Sequence, residues 1–164
     1  MKKQLCMAAL ALFVTTQVSA DAVKRYPLPG GSSFPIASAV EVKAGSTIFE
    51  SGNIPSPKDA KAEAGTLAFW GNTEEQTDSV LAKIEASLKG KGLDMGSVVK
   101  MTVFLVGDPA MDGKMDFSGF MKSYVRYFGT EAQPNLPARS AVQVAGLVAP
   151  GMMVEIEVIA VRPE

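Results

Sequence analysis

The chain has 164 residues, with 16 Lys+Arg against 17 Asp+Glu, a single cysteine and no histidine. This length holds one domain and excludes two of full size. Without histidine there is no Ser-His-Asp or Cys-His nucleophile and no histidine-ligated zinc; one cysteine excludes an internal disulfide and a thiolate metal cluster. A net charge of −1 with no long basic run argues against a nucleic-acid partner. Chemistry is left to carboxylates, Arg, Lys, Tyr, Ser/Thr and the backbone.

Lys2 and Lys3, the apolar run Leu5–Val14 and the small residues of Val18-Ser19-Ala20 form the three parts of a secretory signal, with cleavage expected after Ala20. Thr15, Thr16 and Gln17 interrupt the run well short of the ~20 apolar residues of a membrane span. A signal over 1–20 and one domain over 21–164 are therefore expected, the mature protein being periplasmic or secreted. Cys6 leaves with the signal, which suits an oxidising compartment.

Residues 21–38, rich in proline and glycine, read as an irregular lead-in. Ala39–Ala44 and Thr47–Ser51 are β-prone and flank Gly45-Ser46, so a hairpin is predicted. Gly52–Gly71 is a long connection ending in Phe69-Trp70, aromatics that either wall a pocket or anchor the loop to the core. Thr73-Glu74-Glu75-Gln76 has capping-box form, and Val80, Leu81, Ile84 and Leu88 recur at helical spacing until Gly90 and Gly92. Val98–Val106 is apolar on both faces, as a central strand is. Asp116 is placed to cap a second helix to Phe128 that buries Phe117, Phe120, Met121, Tyr124 and Phe128. Two last strands, Arg139–Leu147 and Met153–Val161, flank Ala149-Pro150-Gly151. The order ββαβαββ gives an α+β domain, a mixed sheet with two helices on one face.

Treating the last two strands as a hairpin and matching their apolar faces puts Arg139, Ala141 and Gln143 on one surface with Glu155 and Glu157. The small residues Ala141, Ala145 and Gly146 invite a second surface to approach, so an oligomer with sites near subunit boundaries is expected. Arg139 offers paired donors that fit a carboxylate, and Glu155 beside it could hold a water or act as base. Together they suit a small carboxylic acid whose neighbouring carbon is attacked by water. Equally, Arg139 could pair with Glu155 or Glu157 and only stitch the strands together.

Asn135-Leu136-Pro137-Ala138-Arg139-Ser140-Ala141-Val142-Gln143-Val144-Ala145 and Val154-Glu155-Ile156-Glu157-Val158-Ile159-Ala160 resemble the signature of the RidA/YjgF (endoribonuclease L-PSP-like) family. Ser51-Gly52-Asn53-Ile54-Pro55, Gln76-Thr77 and Val98–Leu105 match its other blocks, and the resemblance spans about residues 36–161. It implies a chorismate-mutase-like single domain, a homotrimer with clefts between subunits, and cofactor-free hydrolysis of reactive 2-imino acids to 2-keto acids and ammonia. By the same resemblance Arg139 binds the substrate carboxylate and Glu155 positions the water. Gly52, Asn53, Ile36, Met121 and Ala141 fall at substrate-binding positions, but Ile36 stands where Tyr is usual, Ala141 where Cys is common, Met121 where Asn is common and Asn53 where Gln is usual.

Other patterns carry less. Asp108, Asp112 and Asp116 lack the alternate spacing and distal Glu of a calcium loop, and the methionines read as core filler, so no metal is expected. No basic aromatic groove supports ribonuclease action. The alternative to an exported deaminase is a non-catalytic periplasmic trimer that binds small carboxylates or acts as a chaperone. The expected partner is a small carboxylate-bearing molecule, with neither nucleic acid nor, after signal cleavage, a membrane.

Overall fold

The structure is a computed structural model that describes residues 22–164; the expected signal over 1–20 lies outside the described residues. Strands β1 (Val23–Tyr26) and β2 (Ala39–Val42) form a separate antiparallel pair. The main sheet takes β3 (Ser46–Asn53), β7 (Val154–Arg162), β4 (Val98–Asp108) and β6 (Ala138–Val144) in that order, and the two-residue β5 (Lys114–Met115) pairs with the end of β4. Helices α1 (Leu67–Trp70), α2 (Thr73–Gly90) and α3 (Phe117–Tyr127) complete the chain. The α+β class holds, with α2 and α3 packed on each other and on one face of the mixed sheet.

Central β4 explains the core. Its residues Met101, Val103 and Leu105 are fully buried and meet Val158, Ile156 and Val154 of β7 in antiparallel register. From α2 come Val80, Leu81, Ile84 and Leu88, and from α3 Phe120 and Tyr124, all fully buried as their spacing predicts. The opposite face of β4, with Lys100, Thr102 and Phe104, is only half-covered within the chain.

Both predicted hairpins are corrected. β2 does not pair with β3; it pairs with β1, which arises inside the segment read as irregular. The break lies at Gly45 (φ 117°), where a Cβ would overlap the carbonyl oxygen of Arg162 as β3 turns away to join β7. Likewise β6 and β7 do not pair with each other. β6 runs parallel to β4, Arg139 beside Met101 and Ala141 beside Val103, while β7 occupies the other edge of β4. Inserting a strand between the two reassigns faces. Arg139, Ala141 and Gln143 share the helix-covered side with Met101 and Val103, whereas Glu155, Glu157 and Val142 share the open side with Phe104 and Thr102.

At the start of α2 the cap is one residue earlier than predicted. Asn72 accepts from the Glu75 backbone N–H at 3.0 Å and Glu75 returns the bond to the Asn72 N–H at 3.0 Å, a capping box that leaves Thr73 and Gln76 buried. Gln76 then serves as an internal clamp: its Nε2 donates to Gly71 O (2.9 Å) and Gly151 O (3.0 Å), and its Oε1 accepts from Met153 N (2.8 Å). Trp70 is buried and donates from Nε1 to Pro150 O at 2.9 Å, with Phe69 edge-on against it. These two aromatics anchor the long connection, α1 included, to the loop before β7. Asp116 caps α3 as predicted, accepting from Gly119 N at 2.7 Å.

Candidate functional site

Arg139 projects from β6 beneath α3. Phe117, Phe120 and Tyr124 fall on one side of that helix because they are spaced three and four residues apart. Their rings, with Phe34 of the segment joining β1 to β2, surround the guanidinium, whose carbon lies 4.2 Å from the Tyr124 centroid, 5.0 Å from Phe120, 5.7 Å from Phe117 and 5.6 Å from Phe34. Nη1 also donates to Met121 Sδ at 3.3 Å. Aromatic faces present negative charge to a cation but do not neutralise it.

No carboxylate within ion-pairing distance of Arg139 is found among the described residues, whose ion pairs all lie elsewhere. The stitching pair with Glu155 or Glu157 does not form in the chain, because those carboxylates stand on the other side of the sheet. Burial lowers the Arg139 pKa from its ordinary value, opposed by the Tyr124 phenol. Burial also pushes the Tyr124 phenol up, to about 12, with the Arg139 charge acting against it. The guanidinium lies over the ring, yet no well-aligned hydrogen bond reaches Tyr124 Oη, which is buried without a partner.

The remaining predicted residues divide between two places. Met121 touches Arg139, and Ala141 packs into the core one step along the same face of β6. Ile36 lines an adjoining cavity, and it is Phe34, two residues earlier, whose ring covers the guanidinium. On the open side, Gly52 lies against Glu155: a Cβ at this position would overlap Oε1, so glycine is what lets the carboxylate lie along β3. Asn53 turns back locally, Nδ2 donating to Ser51 O at 2.9 Å, at the irregularity where β3 shifts register against β7. Phe104 neighbours Glu155 across the sheet, and the exposed Val142 lies beyond Phe104 on β6. A single chain thus holds Arg139, Met121 and Ala141 on one side of its sheet and Glu155 with Gly52 on the other. The aromatic setting of Arg139 was not foreseen, although the spacing of Phe117, Phe120 and Tyr124 was legible as a helix face.

The sequence model of the family described as Endoribonuclease L-PSP matches residues 34–162. The chain belongs to the RidA/YjgF family. This match takes in β3, β4, β6 and β7, and with them every residue just described. Over 122 residues the chain is 37% identical to the 2-iminobutanoate/2-iminopropanoate deaminase of Escherichia coli K12, covering 74% of this chain and 84% of that one. The crystal structure of E. coli TdcF with bound serine superposes with a TM-score of 0.56 at 32% identity, covering 84% of this chain and 94% of its own. YyfB of the Rid family from Yersinia pestis, 23% identical, shares the fold with a TM-score of 0.63, covering 86% and 99% of the two chains.

The buried phenol yields a test. A group whose folded pKa is about 12 instead of 10 stays protonated in the fold while the unfolded chain ionises. Stability is therefore full below pH 10 and declines from 10 to 12, by on the order of 2 kcal/mol; Tyr127, also raised by burial, acts in the same sense. Tyr124→Phe removes a hydroxyl that has no partner, so urea unfolding is expected to show no loss at pH 7 and a clearly flatter alkaline decline. A variant that is strongly weakened at pH 7, or declines as the parent does, contradicts this description.

Proposed function

We propose that the protein hydrolyses reactive 2-imino or enamino acids to 2-keto acids and ammonia. The observation that carries this reading is the Arg139 guanidinium, half-buried among aromatic rings and given no carboxylate by the described residues. Such a group binds an organic carboxylate well, since two parallel N–H donors meet two oxygens and the surroundings are poor in competing water. The deaminase that is 37% identical supports the reaction class, and the serine in TdcF supports a small carboxylate ligand.

In this reading the carboxylate of the imino acid rests on Arg139, which sets the position of the adjacent C=N carbon. A Glu155 carboxylate takes a proton from water as the water oxygen bonds to that carbon and delivers it to nitrogen, giving a carbinolamine. Glu155 then moves the hydroxyl proton to the amino nitrogen as C=O forms and the C–N bond breaks, releasing keto acid and ammonia. Nothing is oxidised or reduced. Arg139 and Glu155 of one protomer face opposite sides of their sheet, so the reacting pair is drawn from two protomers. Gly52 belongs with Glu155, and Met121, Ala141 and Ile36 with the arginine side. The open face, with Phe49 76% and Val142 45% exposed, is the surface over which we place a homotrimer.

Ammonia release from 2-iminopropanoate, made in situ by an amino-acid oxidase, is the direct assay. Arg139→Ala is expected to lower kcat/KM roughly a hundredfold or more with the fold intact, and Arg139→Lys to recover only part, because an ammonium lacks the paired donors. Undiminished turnover in Arg139→Ala overturns the assignment. If the chain binds 2-keto acids through Arg139 but turns over no imine, the binding-protein reading replaces the enzyme.

We further infer that residues 1–20 direct export, so that the reaction takes place outside the cytoplasm. The N-terminus of protein recovered from its native cell should then be Asp21 in the periplasmic or secreted fraction. An intact chain starting at Met1 in the cytosol would refute this.

A further inference from the structure

The segment that carries Phe34 is preceded by another arginine, Arg25, which lies in β1 ahead of the residues matched by the family model. Pairing with Val40 fixes its backbone. Its side chain reaches the start of β4, where Nη2 donates to Gly96 O at 2.8 Å and, more weakly, to Val98 O at 3.5 Å. Gly96 O also accepts from Asn135 Nδ2 at 3.3 Å. These carbonyl bonds fix the guanidinium in place without neutralising it.

Among the described residues no carboxylate lies within ion-pairing distance of Arg25. Its Nε is buried with no partner at all, and burial lowers its pKa. A desolvated cation without a counter-charge is costly to maintain and gains from any anion that reaches it. Nη1 makes no hydrogen bond among the described residues, so it is the edge left for such an anion. Arg25 lines a cavity of about 360 Å³ whose apolar walls include Leu28, Phe34, Ile36 and Leu136, with Ser33 and Asn135 supplying polar groups. Few polar groups converging in a mostly apolar cavity is the usual make-up of a small-molecule site.

We propose that this cavity is a second anion site, which takes a small carboxylate with an aromatic or branched apolar body. One carboxylate oxygen accepts from Arg25, while the body packs between Phe34 and Leu136. The site adjoins that of Arg139 and shares Phe34 and Ile36 with it, but its anion contact is Arg25 and not Arg139.

The probe is 4-fluorophenylacetate, titrated by fluorine NMR into the wild type, Arg139→Ala, Arg25→Gln and Leu28→Trp, with thermal unfolding to verify the fold of each. Saturable binding is expected to persist in Arg139→Ala and to weaken by about tenfold or more in Arg25→Gln, the loss of one charged hydrogen bond. Leu28→Trp fills the cavity while keeping Arg25 and is expected to weaken binding similarly; it decides the question alone if Arg25→Gln fails to fold. The neutral 4-fluorophenylacetamide should bind about tenfold more weakly than the acid. The proposal is overturned if Arg139→Ala binds no probe, if neither Arg25→Gln nor Leu28→Trp changes the affinity, or if amide and acid bind alike.

Discussion

The structure turns on a positive charge that is taken partly out of water and given no negative one among the described residues. Removing a guanidinium from solvent carries a desolvation cost that neutral neighbours repay only in part. Four aromatic rings and a thioether surround Arg139, and each cation–π contact returns about 0.5–2 kcal/mol depending on exposure. What they do not supply is the second charge. The fold thereby keeps an arginine rigid, dry on several sides and still able to gain by binding an anion.

Several features exist to make that arrangement possible. β6 lies beside β4 with its parallel register bringing Arg139 under α3, and the cap at Asp116 starts that helix where Phe117, Phe120 and Tyr124 all face the sheet. The segment before β2 closes the remaining side with Phe34, held there by Ala37 N donating to Pro137 O at 3.1 Å. Across the same sheet, a glycine at position 52 lets Glu155 lie along β3. Acid and arginine are separated by the thickness of the sheet, so on the proposed reading one chain offers two halves of a site. On the proposed reading the open face, where Phe49, Phe104 and Val142 lie among Lys100, Glu155 and Glu157, brings the halves of neighbouring copies together. That would explain why apolar and charged side chains share a surface that a monomer would expose.

Much of this was legible in the chain itself, and what was not has a common cause. The helices declared themselves by spacing and caps, although the α2 cap came one residue early: Asn72 and Glu75 satisfy the same pattern as Thr73 and Gln76, and burial of Gln76 as a clamp chose between them. β4 declared its central place by being apolar on both faces. The partners of β2 and β6 did not declare themselves. Gly45-Ser46 and Ala149-Pro150-Gly151 have local turn chemistry, whereas the parallel pairing of β6 with β4 links residues far apart and leaves no local signal. That one error of pairing moved Arg139 to the wrong side of the sheet and gave it Glu155 as a neighbour. Placing Glu155 beside Arg139 within one chain rested on that pairing and falls with it; the family resemblance, which is indifferent to pairing, is what still points to both residues. The aromatic surround needed both the α3 face and the β6 register, and only the first was readable.

Whether Arg139 and Glu155 act across a junction between copies is read most directly by subunit complementation. Arg139→Ala and Glu155→Gln chains, each expected to be inactive in ammonia release, are co-expressed and purified as mixed oligomers through two different tags. If Arg139 of one copy works with Glu155 of the next, some junctions in the mixture carry both native side chains and a substantial fraction of wild-type activity returns. Mixed oligomers no more active than either parent, alongside an active wild type, would contradict the account.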